Sequence, residues 1–67
     1  MSLVKVIEVI AEGKSIENTI ENALKKASKS IHGIKSIYVK DVNAMIENNK
    51  IEKYRLIVKI SFMLDNQ

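Results

Sequence analysis

The 67-residue chain has no cysteine, no proline, no tryptophan and only two glycines. Without cysteine, disulfide staples, thiol nucleophiles and soft-metal sites are excluded. A single histidine, His32, leaves no imidazole pair for catalysis or metal binding. The aromatic residues are Tyr38, Tyr54 and Phe62, too few and too core-like to form a stacking platform for nucleic acid. No apolar run approaches the ~20 residues needed to cross a bilayer, so no membrane partner is expected. Charge of one sign is also missing: eleven Lys/Arg face eight Asp/Glu, interspersed, for a net charge of +3. Lys25, Lys26, Lys29 and Lys35 are candidates for touching phosphate, but acidic residues share the helix, and nucleic acid is not an expected partner.

What is present is apolar and strongly periodic. Hydrophobic residues make up 46% of the chain, too many for a disordered one. A chain of this size buries roughly 6,700 Å² on folding. At ~60% apolar and ~25 cal/mol/Å², that burial contributes on the order of 100 kcal/mol. Ordering the chain at ~1.5 kcal/mol per residue costs about the same. The lone protomer breaks even, so self-association is the expected remedy. The start, Met1-Ser2-Leu3-Val4-Lys5, lacks the layout of a signal peptide, which makes the cytoplasm the expected compartment.

Along the chain, residues 3–10 are β-branched and apolar and read as a first strand. Ala11 to Lys14 is the expected break, with Gly13 free to adopt positive φ. Ser15 is the expected N-cap. Ile16, Ile20, Ala23, Leu24, Ala27 and Ile31 recur on one helical face, predicting a helix over 16–31 with Gly33 as its C′ residue. His32, just before that glycine, is expected to hydrogen-bond a free helix carbonyl. Residues 34–46 read as a second strand with a bulge near Asp41 to Asn43. Glu47-Asn48-Asn49-Lys50 is a hairpin turn. Residues 51–64 form a third strand with the clearest alternation: Tyr54, Leu56, Val58, Ile60, Phe62 and Leu64 point one way. Asp65-Asn66-Gln67 is a short polar tail.

The fold class is therefore α+β, a β-α-β-β chain forming a single domain over 1–67. The crossover helix lets strands one and two run the same way, and the hairpin reverses the third. An antiparallel three-stranded sheet then requires the order 2-3-1, wrapped around the helix. The helix is about 24 Å long at ~1.5 Å per residue, whereas the hairpin strands reach about 40–45 Å at ~3.3 Å per residue. One helix cannot cover them. Ile57, Met63 and part of 37–45 need cover from copies of the same chain.

No catalytic constellation and no dedicated metal site emerges. The carboxylates lack Ca²⁺-loop spacing, and Glu17 with Glu21 is the i,i+4 spacing of a solvated helix face. An oxygen-ligand site built by several copies at a symmetry axis stays open. Tyr38 shares a face with Ser36 and is a candidate interface residue.

The whole chain resembles a known family. Val4-Lys5-Val6-Ile7-Glu8, then Gly13-Lys14-Ser15 opening a helix with Ala23 and Ala27, is similar to the front half of a dodecin. Lys53 to Leu64 resembles that family's long last strand, which begins with Tyr-Gln and closes in Lys-x-x-Phe. The resemblance implies a hollow homododecamer with twofold and threefold contacts, non-enzymatic, binding a flavin (FMN, FAD or riboflavin) for storage or sequestration. It places the ligand at a twofold axis, between a stacking tryptophan and a hydrogen-bonding glutamine. At those positions this chain has Ser36 and Arg55, and Asn43-Ala44 replaces the family's Arg-Gly. The candidate ligand-binding residues are thus Ser36, Arg55 and Tyr38. Two functions follow from the resemblance: a binding module for a flavin or another anionic or phosphorylated aromatic ligand, or a structural shell that has lost flavin binding, or that binds another anionic ligand or a metal at its symmetry axes.

Overall fold

A computed structural model describes residues 3–64; the polar tail read at 65–67 lies outside the described residues. The element order is β1 (Leu3–Gly13), α1 (Ile16–Ala27), β2 (Ile34–Glu47) and β3 (Lys50–Leu64). The sheet is antiparallel with the order β1-β3-β2, as the direction of the connections requires. The most strictly alternating strand sits in the middle. Leu56, Val58 and Ile60 of β3 are fully buried and meet Ala23 of α1. Ile7, Val9 and Ala11 flank them from β1, and Ile34, Ile37 and Val39 from β2. Tyr54 packs on this core, whereas Phe62 is half-buried and Leu64 exposed, because the helix does not reach that end of the strand.

The hairpin turn is a two-residue loop in which Asn48 (φ 54°) and Asn49 (φ 62°) both lie in the left-handed region. This is the turn whose twist matches flanking strands, and Asn is the non-glycine residue that tolerates it best. Three register shifts interrupt the β2–β3 ladder, at Ile34/Ser36, Val39/Asp41 and Met45/Ile46. The second leaves Lys40 unpaired, one residue before the bulge expected at Asp41 to Asn43. β1 runs against β3 in register from Leu3↔Leu64 to Gly13↔Tyr54, so it is longer than the 3–10 read from the sequence. Ladder pairing overrides the turn-like composition of Glu12-Gly13.

The helix starts where expected. The Ser15 hydroxyl accepts from the Asn18 amide at 3.0 Å, and the Asn18 side chain accepts from the Lys14 amide at 3.0 Å. It ends earlier, at Ala27 rather than residue 31. The Ser28 hydroxyl donates to the Lys25 carbonyl at 3.0 Å, and the Lys29 and Ser30 amides turn back to carbonyls three residues earlier. Serine hydroxyls compete with the backbone ladder, and the last turn tightens into an i→i+3 form. His32 and Gly33 consequently lie in the connection to β2, not at the helix end. His32 is exposed there, and Gly33 (φ +75°) makes the bend into β2, its carbonyl accepting from the Met63 amide at 3.0 Å. The helix face also differs: Ile16 and Leu24 are exposed, and Thr19 is fully buried instead. The Thr19 hydroxyl donates to the Ser15 carbonyl at 2.6 Å, which removes the penalty for burying it.

Gly13 does not take positive φ. Its role is close approach: a Cβ there would lie 2.6 Å from Thr19 Oγ1 and 2.9 Å from Thr19 Cα. Gly13→Ala must therefore push α1 off the end of β1. It should destabilise the fold by ~1–3 kcal/mol in denaturant unfolding. Gly33→Ala strains the backbone instead, at φ +75°, so Thr19→Ala, which removes the Oγ1 contact, should partly offset Gly13→Ala and give no such relief to Gly33→Ala.

Candidate functional site

Strand alternation divides β3 into a helix-facing set and an outer set. The outer set is Lys53, Arg55, Ile57, Lys59, Ser61 and Met63, and pairing extends it across the sheet as rows. One row is Val6, Ser61 and Ser36; the next is Glu8, Lys59 and Tyr38; then Ile10, Ile57 and Asp41; then Glu12, Arg55 and Asn43. All three candidate residues thus share the outer face. Tyr38 is 64% exposed, and Val6 and Ile10 beside it are also exposed.

A single protomer does not bring the three together. Ser36 and Tyr38 occupy neighbouring rows, but six residues of β3 separate the Ser61 row from Arg55, about 20 Å at ~3.3 Å per residue. A planar ring of ordinary size cannot touch Ser36 and Arg55 of the same copy.

Both substituted positions have partners within the protomer. The Ser36 and Ser61 hydroxyls lie 2.6 Å apart and share a hydrogen bond across the ladder. Arg55 donates from Nε and from Nη2 to Glu12 Oε2, each at 2.7 Å, and Lys53 Nζ reaches Glu12 Oε1 at 2.9 Å. The hydrogen bond from Lys53 is the main cause holding the Glu12 carboxyl below its ordinary value of 4.5, with Arg55 second. On the helix side, Asn22 Nδ2 donates to the Glu12 carbonyl at 3.1 Å and anchors the end of β1. Lys40, freed by the β2 bulge, lies 3.7 Å from Glu8 across the outer face.

Glu12, Lys53 and Ser61 were not among the residues singled out from the sequence. Their signal is the pairing register, which only the assembled sheet supplies. A separate cleft of about 780 Å³ runs along the β1 edge beside the helix, lined by Ile7, Val9, Ala27 and Ile31 with Lys25 and Lys29 also on its wall. Ser36, Tyr38 and Arg55 do not line it. Among the described residues, no three His, Cys, Asp or Glu side chains are grouped to hold a metal ion, and no helix is long and apolar enough to cross a membrane.

The sequence profile of the dodecin family matches residues 3–65. The chain belongs to the dodecin family. A dodecin from Thermus thermophilus, solved as an arginine-to-alanine variant, superposes with a TM-score of 0.92 at 20% identity, covering 100% of both chains. A tryptophan-to-phenylalanine variant of the T. thermophilus dodecin gives 0.91 at 21% identity, over 98% of this chain and 100% of that one. The Streptomyces davaonensis dodecin gives 0.89 at 20% identity, over 97% of each chain. A search of curated proteins returned no match. The tryptophan altered in the Thermus variant has no counterpart by type here, since this dodecin has none at all.

The ion-pair cluster gives this dodecin a defined acid response. The Glu12 carboxyl is lowered in the folded state, so the stability it lends is complete above the ordinary carboxylate value and is lost as pH falls through the lowered one. Glu12→Gln should flatten the fall in melting temperature below about pH 4.5 while changing little near neutrality beyond the loss of the bridges. Parallel acid limbs for the two proteins would show that Glu12 is not the group responsible.

Proposed function

We propose that this dodecin is a non-enzymatic, single-domain, cytoplasmic binding protein that works as a homo-oligomer of the twelve-subunit type. It holds a flavin, or another anionic aromatic ligand, between subunits for storage or sequestration. The observation that carries this reading is the placement of Ser36, Tyr38 and Arg55 on one exposed face, with Ser36 and Arg55 too far apart to touch one planar ring from one copy. A second copy, set so that its Arg55 end approaches Ser36, supplies what the first lacks. Tyr38 then offers a ring near the ligand, and Arg55 a planar donor that can stack or pair with a carbonyl or phosphate.

The isolated protomer supports the oligomer. Its radius of gyration is 13.9 Å, against about 11 Å for a compact chain of this length. It exposes 5085 Å², against about 4,300 Å² expected for a monomer of its mass. The exposed apolar residues Val4, Val6, Ile10, Ile46 and Ile51 account for part of that excess.

A second reading, an assembled shell without flavin, is favoured by the Ser36–Ser61 hydrogen bond, which replaces an aromatic platform with a small polar notch. Riboflavin fluorescence separates the two. Quenching at micromolar protein supports the ligand module; no quenching at tens of micromolar, with an intact assembly, leaves the shell. In either case Ser36→Trp should tighten riboflavin binding about 5- to 150-fold, the worth of one stacked ring at ~1–3 kcal/mol. Light scattering checks the oligomer by itself: a particle of protomer mass refutes it.

A further inference from the structure

The outer sheet face carries a two-cation cradle that the chain fills with its own carboxylate. Arg55 Nε and Nη2 both point at Glu12 Oε2 at 2.7 Å, and Lys53 Nζ points at Oε1 at 2.9 Å. Both oxygens of one planar anion are thus held by a guanidinium and an ammonium, the arrangement proteins use for phosphates and carboxylates. The cradle is set by rigid elements: Glu12 lies opposite Arg55 in the β1–β3 ladder, and Lys53 is two residues along β3 on the same face. β2 places uncharged Asn43 opposite Arg55 and Met45 opposite Lys53, so two cations face one anion. In the single protomer the three side chains are 36–42% exposed, and ion pairs open to water to that extent are held weakly.

We propose that Lys53 and Arg55 form an oxyanion-binding site for a phosphate-bearing ligand, with Glu12 as a built-in competitor that the ligand displaces. An incoming phosphate dianion puts two negative charges where Glu12 puts one, and the displaced carboxylate regains its hydration in solvent. No bond is made or broken. The inference rests on the ligand-module reading only in linking this oxyanion to an aromatic ring; binding of phosphate itself does not need a flavin.

Arg55 is the only arginine in the chain, so its Nε–H gives one assignable NMR signal in the assembled protein. Inorganic phosphate, titrated near neutral pH at constant ionic strength, should shift that signal saturably, and the Glu12 side-chain carboxyl ¹³C signal should move in step. Chloride at the same ionic strength should do neither. Glu12→Gln should saturate at about tenfold lower phosphate, and Lys53→Gln at about tenfold higher, the scale of one charge-assisted contact. A phosphate response indistinguishable from chloride overturns the site. A saturable Arg55 response with a stationary Glu12 signal overturns the competitor role, and that measurement needs no variant to fold. Riboflavin, which lacks phosphate, keeps the readings apart: if it fails to bind while phosphate still saturates Arg55, only the flavin reading falls.

Discussion

The governing constraint is a mismatch of lengths. A fifteen-residue β3 spans about 50 Å at ~3.3 Å per residue, while the twelve-residue α1 spans about 18 Å at ~1.5 Å per residue. The molecule is accordingly 52 Å long and only 20 by 13 Å across. The buried core is confined to the middle of β3, at Leu56, Val58 and Ile60, where the helix lies. Beyond it the sheet has two bare faces. The exposed apolar residues of β1 and the outer rows of β3 and β2 belong to those faces, and so do the residues of the candidate site. The fold and the exposed candidate face share one cause.

Charge and polarity on the outer face are arranged by row, not scattered. Toward the Leu3–Leu64 end, the row of Val6, Ser61 and Ser36 is apolar and hydroxylic. Three rows along β3, the row of Glu12 and Arg55 is ionic with Lys53 beside it, and so is the Glu8–Lys59 row between the two. The outer face of the protomer therefore offers different chemistry along its length. That polarity follows from pairing register, which fixes the lateral order of side chains as firmly as it fixes the strands.

Much of the architecture could be read from residues alone. For an antiparallel sheet, the order 2-3-1 needed only the hairpin at Asn48-Asn49 and the helical crossover, and the alternation of β3 put Leu56, Val58 and Ile60 together on the side that is buried. The misreadings have local causes. Ile31 fits the helical period and its amide still bonds the Ala27 carbonyl, but Ser28 to Ser30 form turns that end the regular helix at Ala27. Glu12-Gly13 looks like a turn, yet it pairs with Arg55 and Tyr54. Thr19 was invisible as a core residue because its burial depends on Gly13, six positions away and in another element. The Glu12–Arg55 pairing was hidden for the same reason: residues 43 positions apart meet only once the register of a long ladder is set.

The two borders of the sheet are unequal. β2 carries register shifts that leave Lys35 and Lys40 out of the ladder, and lysines and bulges on an outside strand repel further backbone pairing. β1 keeps its register with β3 through all its eleven residues. Strand-to-strand growth is thereby blunted on one side and open only on the other. A polymer that lengthens by adding copies to both edges needs two receptive borders, and this protomer has one. Pairing of β1 with the β1 of a second copy is edge against like edge, which closes after two copies instead of continuing as a fibre.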